Sequence, residues 1–235
     1  MHSFAEAVLH AFTMIVSFDA VLAEIVGLSM YVTLSAVGLA CLFGFPLGAA
    51  LAIGRFPGRG LLVVMITALM GLPPVVVGLV VYLALSASGP LGVLGLLYSP
   101  TAMIIAQTVL VTPIIASLTR QVISDLHTEY DEFLRMQGAT LTQTIGTLLW
   151  DGRLSLMTAA LAGFGRALAE VGAVMIVGGN INHVTRVMTT TIALETSRGN
   201  LGLALGLGII LIALSVVVTG LLMMLSSGRE RSVHA

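Results

Sequence analysis

Long uninterrupted apolar runs are the feature that most restricts the fold of this chain of 235 residues. About 20 consecutive apolar residues cross the hydrocarbon core of a membrane as a helix, because a helix satisfies its own backbone hydrogen bonds. Only 9% of the residues are charged and the mean hydropathy is +1.07, whereas a soluble domain carries about 25% charged residues. The sequence therefore predicts an all-α integral membrane protein.

Five apolar runs are long enough to cross a membrane. The predicted spans are about Ile25–Ile53, Leu61–Ser86, Thr101–Ile123, Ser155–Gly178 and Leu201–Ser226. Prolines occur in three of them, with Pro46 in the first, Pro73 and Pro74 in the second and Pro113 in the third. We expect these spans to form a single transmembrane domain over residues 1–235.

An additional apolar segment precedes the first span. Its apolar residues recur at helical spacing: Phe4, Ala7, Val8, Ala11, Phe12 and Ile15. Asp19 and Glu24 bound the segment. This pattern predicts an N-terminal amphipathic helix that lies on the membrane surface rather than a sixth span.

The arginines indicate how the spans are oriented, because basic residues concentrate in cytoplasmic loops. If the N-terminus is outside, the inner loops receive Arg55, Arg59, Arg120, Arg135, Arg153, Arg229 and Arg231. The outer side then receives only Arg186 and Arg198, and Arg166 lies within the fourth span. We therefore expect an external N-terminus and a cytoplasmic C-terminus.

One polar stretch, Arg120–Arg153, holds eight of the 21 charged residues. Two apolar stripes at helical spacing run through it: Leu126, Tyr130, Phe133 and Leu134, then Leu141, Ile145, Leu148 and Leu149. We name residues 124–153 the polar loop and predict two helices that lie across the cytoplasmic ends of the spans. The acids Glu129, Asp131 and Glu132 are placed in the opening turns of the first helix, where the helix dipole favours negative charge.

The connection between these two helices carries specific signals. Gly138 suits the left-handed position that ends a helix. Thr140 and Gln143 form a capping-box pattern that starts the second helix. From the pattern alone, the polar loop is either an amphipathic connector or a platform for a soluble partner.

The segment Glu132–Gly138 resembles the EAA loop of bacterial ABC-importer permeases, in which Glu-Ala-Ala-x-x-x-Gly precedes a hydrophobic helix. Both alanines are replaced here, by Phe133 and Leu134, and Trp150-Asp151 stands where the family usually has Leu-Pro. The resemblance implies that the polar loop is a cytoplasmic coupling loop seated on an ATP-hydrolysing subunit. The residues expected to couple to that subunit are Tyr130, Glu132, Phe133, Met136 and Gly138.

Two further stretches resemble oxyanion permeases. Gly71–Tyr82 and Ser88–Gly92 are similar to permeases of the molybdate and tungstate type, and Gly163–Gly199 closely resembles tungstate-importer permeases. The resemblance implies a molybdate-permease-like fold and the import of an oxyanion, with tungstate expected and molybdate or sulfate as alternatives. A self-sufficient anion channel or secondary transporter is the alternative from another class, although no internal repeat is visible.

Two charged residues lie inside the predicted fourth span. Arg166 and Glu170 are four residues apart, so on one helix they share a face and can pair, which reduces the cost of charge in a membrane. A structural ion pair is favoured over a role in substrate binding, because a neutralised arginine attracts anions weakly.

The segment after the fourth span is rich in neutral hydrogen-bonding groups. A tetrahedral dianion that crosses a low-dielectric gate needs such donors rather than a strong cation that would trap it. The candidate gate residues are Asn180, Asn182, Thr189 and Thr190. The same polar groups would also fit a loop that docks a binding protein.

The sequence also narrows the partners. It contains no lysine and therefore no phosphate-binding G-x-x-x-x-G-K-[ST] motif, so we expect no enzyme activity and no bound cofactor, with ATP and magnesium held by a partner subunit. No metal site is expected, because the histidines and Cys41 are scattered. We expect no nucleic-acid partner, because such partners are bound through an excess of basic residues and the net charge is −1. The resemblance implies a second copy of the chain, two ATPase subunits, an extracytoplasmic oxyanion-binding protein and lipid, in a bacterial or archaeal plasma membrane.

Overall fold

A computed structural model describes residues 20–233, so the predicted N-terminal amphipathic helix before Ala20 lies outside the described residues. Every regular element within this range is helical. The α-helices are α1 (Ala20–Ile53), α2 (Arg59–Leu69), α3 (Pro74–Leu85), α4 (Pro100–Met136), α5 (Leu141–Asp151), α6 (Arg153–Leu168), α7 (Gly172–Gly178), α8 (Met188–Ser197) and α9 (Leu201–Val233), with a 3-10 turn at Gly92–Leu94. The predicted all-α class is confirmed.

Among the described residues, three stretches are individually long and apolar enough to cross a membrane: α1, α4 and the part of α9 from Leu201 to Leu221. The second and fourth predicted spans are each two helices: α2 and α3 are bent by 105° at the break before Pro74, and α6 and α7 by 59°. Proline removes a backbone donor and clashes with the preceding turn, which explains the first break. When each bent pair is counted as one span, the described chain has the five spans that the sequence predicts.

The third span differs from its prediction. Helix α4 does not end near Ile123 but continues for 37 residues to Met136. No glycine or proline occurs between Pro113 and Gly138, so nothing in the local sequence stops the helix. The prediction of a separate first helix in the polar loop is therefore wrong, and Glu129, Asp131 and Glu132 lie in the last third of α4 rather than in opening turns.

The described chain divides into two compact units, each drawn from three stretches of sequence. The first unit contains Pro74–Gln107, Leu168–Leu221 and the described residues up to Ser35. The second contains Ala36–Pro73, Thr108–Ala167 and the described residues from position 222 onwards. Because the stretches alternate along the chain, neither unit is a contiguous sequence domain, and the single transmembrane domain stays a prediction.

In the second unit, glycines allow helices to pack closely on α4. A Cβ atom on Gly48 of α1 would collide with the carbonyl oxygen of Ala116, and one on Gly44 would lie 2.9 Å from Ile115. Gly163 of α6 approaches the same part of α4, where an added Cβ would lie 2.8 Å from Val111. Small residues are the usual means by which membrane helices come into close contact.

In the first unit, too, a glycine allows two helices to pack closely. A Cβ on Gly78 of α3 would lie 2.7 Å from the Cα atom of Ala173 on α7. The backbone N–H of Tyr98, just before α4, donates to the carbonyl of Val177 at 2.9 Å. These contacts hold the short helix α7 against α3 and the start of α4, which fixes the origin of the segment that follows α7.

Candidate coupling and gating sites

The end of α4 forms a closed turn at Gly138, which has a φ of 66°. The N–H of Gly138 donates to the carbonyl of Arg135 at 3.0 Å, and the N–H of Ala139 donates to that of Leu134 at 3.1 Å. These two hydrogen bonds make a Schellman motif, in which the residue after the helix is left-handed. The predicted role of Gly138 as a helix terminator is confirmed.

Helix α5 begins at the predicted capping box. The backbone N–H of Thr140 donates to the side-chain oxygen of Gln143 at 2.9 Å, and the N–H of Gln143 donates to the Thr140 hydroxyl at 3.5 Å. Only Ala139 separates this box from Gly138. The turn between α4 and α5 is therefore hydrogen-bonded on both sides, which makes it a stiff connection.

The two apolar stripes of the polar loop meet one core cluster. Leu134 of α4 and Leu148 of α5 are buried together with Ile123 against Ala49 and Ala52 of α1. Partly buried residues surround this cluster, among them Leu126, Tyr130, Ile145 and Leu149. Most of the predicted packing face is thus confirmed, but Phe133 and Leu141 are 53% and 57% exposed and do not belong to it.

The exposed face of the polar loop carries several of the predicted coupling residues. Phe133 and Met136 are exposed, Met136 to 81%, and Glu132 is exposed beside them. Tyr130 packs against the core cluster instead. Asp131 and Arg135, one helical turn apart on α4, form an ion pair with 2.9 Å between the carboxylate oxygen and the guanidinium nitrogen. The loop thus presents large apolar side chains next to an acid at the end of a rigid turn.

Helix α6 ends at Leu168, so Arg166 and Glu170 do not share one helix. The prediction of a common helix face is wrong because the chain breaks before Gly172. Glu170 is 2% exposed, and its carboxylate accepts the N–H of Ala173 at 2.9 Å in the first turn of α7. A carboxylate at this position satisfies a free helix N–H. An ion pair between Arg166 and Glu170 stays a prediction.

The candidate gate residues lie in a hydrogen-bonded segment that includes α8. The Thr189 hydroxyl donates to the backbone carbonyl of Glu170 at 2.8 Å, and the Thr190 hydroxyl lies 2.9 Å from the side-chain oxygen of Asn180. Asn182 is exposed and accepts from Arg186 at 3.0 Å. The structure therefore brings Asn180 and Thr190 together and leaves Asn182 at the surface. Since a threonine hydroxyl has only one proton to donate, Thr189 and Thr190 use theirs within the protein in this conformation.

Two residues that sequence reasoning missed, Ser29 and Tyr98, help to hold this segment. Ser29 accepts the N–H of Met188 at 2.8 Å, at the start of α8. Tyr98 has a φ of 61° and lies against Gly179, where an added Cβ would approach its ring to 2.9 Å. A hydrogen bond with Tyr82 raises the pKa of Tyr98 above its ordinary value. Ser29 and Met188 are 159 positions apart, so no local pattern indicates their contact.

Buried Glu195 is a further residue without a sequence signal. Its two carboxylate oxygens accept from Arg198 at 3.0 Å and from Asn200 at 3.0 Å. Arg198 is thus occupied by a neighbour on its own segment. The carboxylate closes the end of α8, since both contacts fall in the turn that leads to α9.

Comparison with known proteins identifies the family. Residues 44–231 match the family described as "Binding-protein-dependent transport system inner membrane component". The chain belongs to this family. It is 39% identical to the tungstate uptake system permease protein of Peptoclostridium acidaminophilum over 94% of this chain and 97% of that protein. It is also 39% identical to a probable anion ABC transporter permease protein of Haloferax volcanii, over 85% of this chain and 88% of that protein.

A sulfate transport system permease protein of Synechocystis is a more distant relative of this inner membrane component. The two are 28% identical over 81% of this chain and 71% of that protein. All three relatives are permease proteins, which agrees with the predicted role as a transport subunit. A self-sufficient channel or secondary transporter is not supported, because the family consists of components of binding-protein-dependent systems.

Proposed function

We propose that this inner membrane component is the permease subunit of an ATP-driven importer that carries tungstate into the cytoplasm. The observation that carries the proposal is the 39% identity to a tungstate uptake permease over 94% of the chain. Molybdate and sulfate are the alternatives within the same class, and the sulfate permeases are 26–28% identical.

The polar loop supports a mechanism in which ATP hydrolysis takes place on a separate subunit. The hydrogen-bonded turn around Gly138 and the core cluster beneath it allow the loop to move as one body. A partner that gripped the exposed Phe133 and Met136 would transmit its displacement to α4, which is continuous from the loop into the third span. The chain itself would hold no nucleotide, and ATP and magnesium would stay on the partner.

A complete importer on this scheme contains two copies of the chain and two ATPase subunits. An extracytoplasmic binding protein delivers the anion to the outer side. The distribution of arginines supports an external N-terminus and a polar loop in the cytoplasm. In that orientation, the segment from Asn180 to Arg198 lies on the outer side, where the binding protein would dock.

The hydrogen bonds of the gate residues support a proposal for how the anion passes them. Asn180, Thr189 and Thr190 are engaged in hydrogen bonds within the segment, so the anion would replace protein acceptors when it passes. Each hydroxyl keeps one acceptor in this exchange, but the Asn180 oxygen or the Glu170 carbonyl that it leaves loses its donor. The exchange therefore costs about 1–3 kcal/mol for each acceptor left without a donor. An ion pair between Arg166 and Glu170 would keep the break between α6 and α7 neutral during this exchange.

The substrate is tested by metal content in cells. Deleting the gene is expected to lower cellular tungsten several-fold at equal external tungstate and molybdate, with a smaller change in molybdenum. Elemental mass spectrometry of washed cells measures both, and a plasmid copy of the gene is the control. Unchanged tungsten together with reduced molybdenum or sulfate uptake would replace tungstate by one of the alternatives.

A further inference from the structure

Trp150 is the single tryptophan of the chain, and it is 69% exposed. It lies in the last turn of α5, three residues before Arg153 begins α6. Tryptophan is enriched where hydrocarbon meets lipid headgroups, because one end of the indole is apolar and the other carries an N–H donor. An exposed indole next to the start of a membrane span therefore suggests contact with lipid.

The corner between α5 and α6 is fixed at a defined level of α4. A Cβ on Gly152 would lie 2.8 Å from a side-chain carbon of Leu126 and 3.5 Å from one of Val122. On α4, these two residues lie where the apolar run ends, between Arg120 and Glu129. Two features indicate that the corner lies at the edge of the hydrocarbon. It is where the fourth predicted span starts, and it lies against the part of α4 where the apolar run of the third span gives way to charged residues.

Arg153 is held against the indole by two contacts. Its guanidinium carbon lies 5.0 Å from the Trp150 ring centroid, and its NH1 group donates to the Trp150 carbonyl at 2.6 Å. A cation over an indole face is attracted by the ring quadrupole. The pair combines an apolar surface with a positive charge at one level, which complements a phospholipid whose phosphate lies just above its acyl chains.

The other exposed apolar residues of the polar loop lie farther along α4. From Leu126, α4 continues for another ten residues to Met136, which is about 15 Å at 1.5 Å per residue. Phe133 and Met136 are therefore displaced from the corner along the helix axis. If the corner lies at the edge of the hydrocarbon, the Gly138 end of α5 extends away from the bilayer while Trp150 stays beside it.

We propose that Trp150 and Arg153 form a lipid anchor, with the indole at the boundary of headgroups and acyl chains and the guanidinium against a phospholipid phosphate. The anchor holds the α5–α6 corner at the bilayer surface while the Gly138 end remains available to a protein. Asp151 follows Trp150 in the chain, so the acid and Arg153 together carry no net charge, and zwitterionic phosphatidylcholine is the lipid that tests the anchor. The anchor depends on neither the transported anion nor the orientation of the chain.

The test uses the intrinsic fluorescence of Trp150 in the full-length chain reconstituted in phosphatidylcholine vesicles. Lipids brominated near the headgroup end of the acyl chain are expected to quench it severalfold more than lipids brominated near the terminal methyl. Acrylamide in the water is expected to quench it weakly. The matched control is Phe133→Trp combined with Trp150→Phe, which moves the only indole to another exposed position. That variant should respond to acrylamide and not to brominated lipid.

Two further measurements distinguish whether lipid or protein covers the indole of Trp150. Arg153→Ala is expected to weaken shallow quenching and to raise acrylamide access, because the guanidinium no longer holds the indole at the phosphate level. Equal acrylamide quenching of Trp150 and the control, without an effect of brominated lipid, would overturn the anchor. So would shielding of a 5-hydroxytryptophan-labelled Trp150 on addition of the ATPase subunit, since a protein surface would then cover it.

Discussion

Thr190 is fully buried in α8, where its hydroxyl contacts both the Asn180 side chain at 2.9 Å and the Val187 backbone. Its neighbour Thr191 is also buried but donates only to the carbonyl of Val187, the residue just before α8. At the scale of single residues, two adjacent threonines therefore have different structural roles. One ties two parts of the segment together, and the other duplicates a bond that the helix already makes.

Thr190→Val is expected to destabilise the protein by about 1–2 kcal/mol, because it leaves the Asn180 oxygen without its donor. Thr191→Val is the matched control and should cost less than about 0.5 kcal/mol, since a threonine bond to the preceding turn adds little to a helix. The midpoint of thermal unfolding, followed by a thiol-reactive dye at the single cysteine Cys41, measures both. Equal losses in the two variants would contradict the assignment.

At the scale of elements, the polar loop depends on one left-handed residue. The Schellman motif at Gly138 turns the chain so that the stripe of α5 meets that of α4 in a common cluster. Gly146 lies in the middle of α5, is exposed and has no neighbouring atom within 4 Å of an added Cβ. An added Cβ meets no atom within 4 Å at either glycine, so the two positions separate a turn that requires positive φ from a helix interior that does not.

Gly138→Ala is expected to destabilise the loop by about 1–2 kcal/mol, because an L residue is strained at positive φ. Gly146→Ala should instead stabilise it by about 0.5–1 kcal/mol, since alanine loses less backbone entropy in a helix. Hydrogen exchange of the α5 amides reports both changes locally. A loss of protection in the second variant, or none in the first, would show that the turn does not control α5.

At the scale of the whole molecule, the proposed coupling runs from the exposed end of the polar loop into the membrane. The route is mechanical, because α4 is a single helix from Pro100 to Met136. Between Pro113 and Met136 no glycine or proline interrupts α4, so a force applied near Met136 acts directly on the adjoining part of the third span. Glu132 and Glu129 are both exposed acids on this part of α4, but only Glu132 falls in the segment that resembles the coupling motif.

Glu132→Lys is expected to abolish tungstate uptake while the protein remains inserted in the membrane at a normal level. The physical reason is that a reversed charge at the docking surface opposes the partner contact by several kcal/mol, of the order found for like charges at interfaces. Glu129→Lys is the control with the same change of charge and should retain most uptake. Radioactive uptake and immunoblotting of membranes measure the two quantities, and normal uptake by the first variant would reject the coupling role.

Several features follow from local sequence. Runs of apolar residues are sufficient for the all-helical membrane class, because lipid leaves the backbone no alternative. The capping box at Thr140 and the left-handed turn at Gly138 involve neighbours within five residues, so their signals are complete in the sequence. The chain's position in its family followed from the same stretch, although the EAA pattern was incomplete.

The tertiary structure decided what depends on distant contacts and on competing local signals. It made α4 one continuous helix, because the charged residues after Ile123 do not stop a helix. It placed Glu170 in a break, where a backbone N–H rather than a shared helix face engages its carboxylate. It also joined Ser29 to Met188 and Thr190 to Asn180. The sequence by itself determined the membrane-helical class and the signals at the turn, because these depend on solvent and on near neighbours. Only the folded chain decided which polar groups satisfy one another.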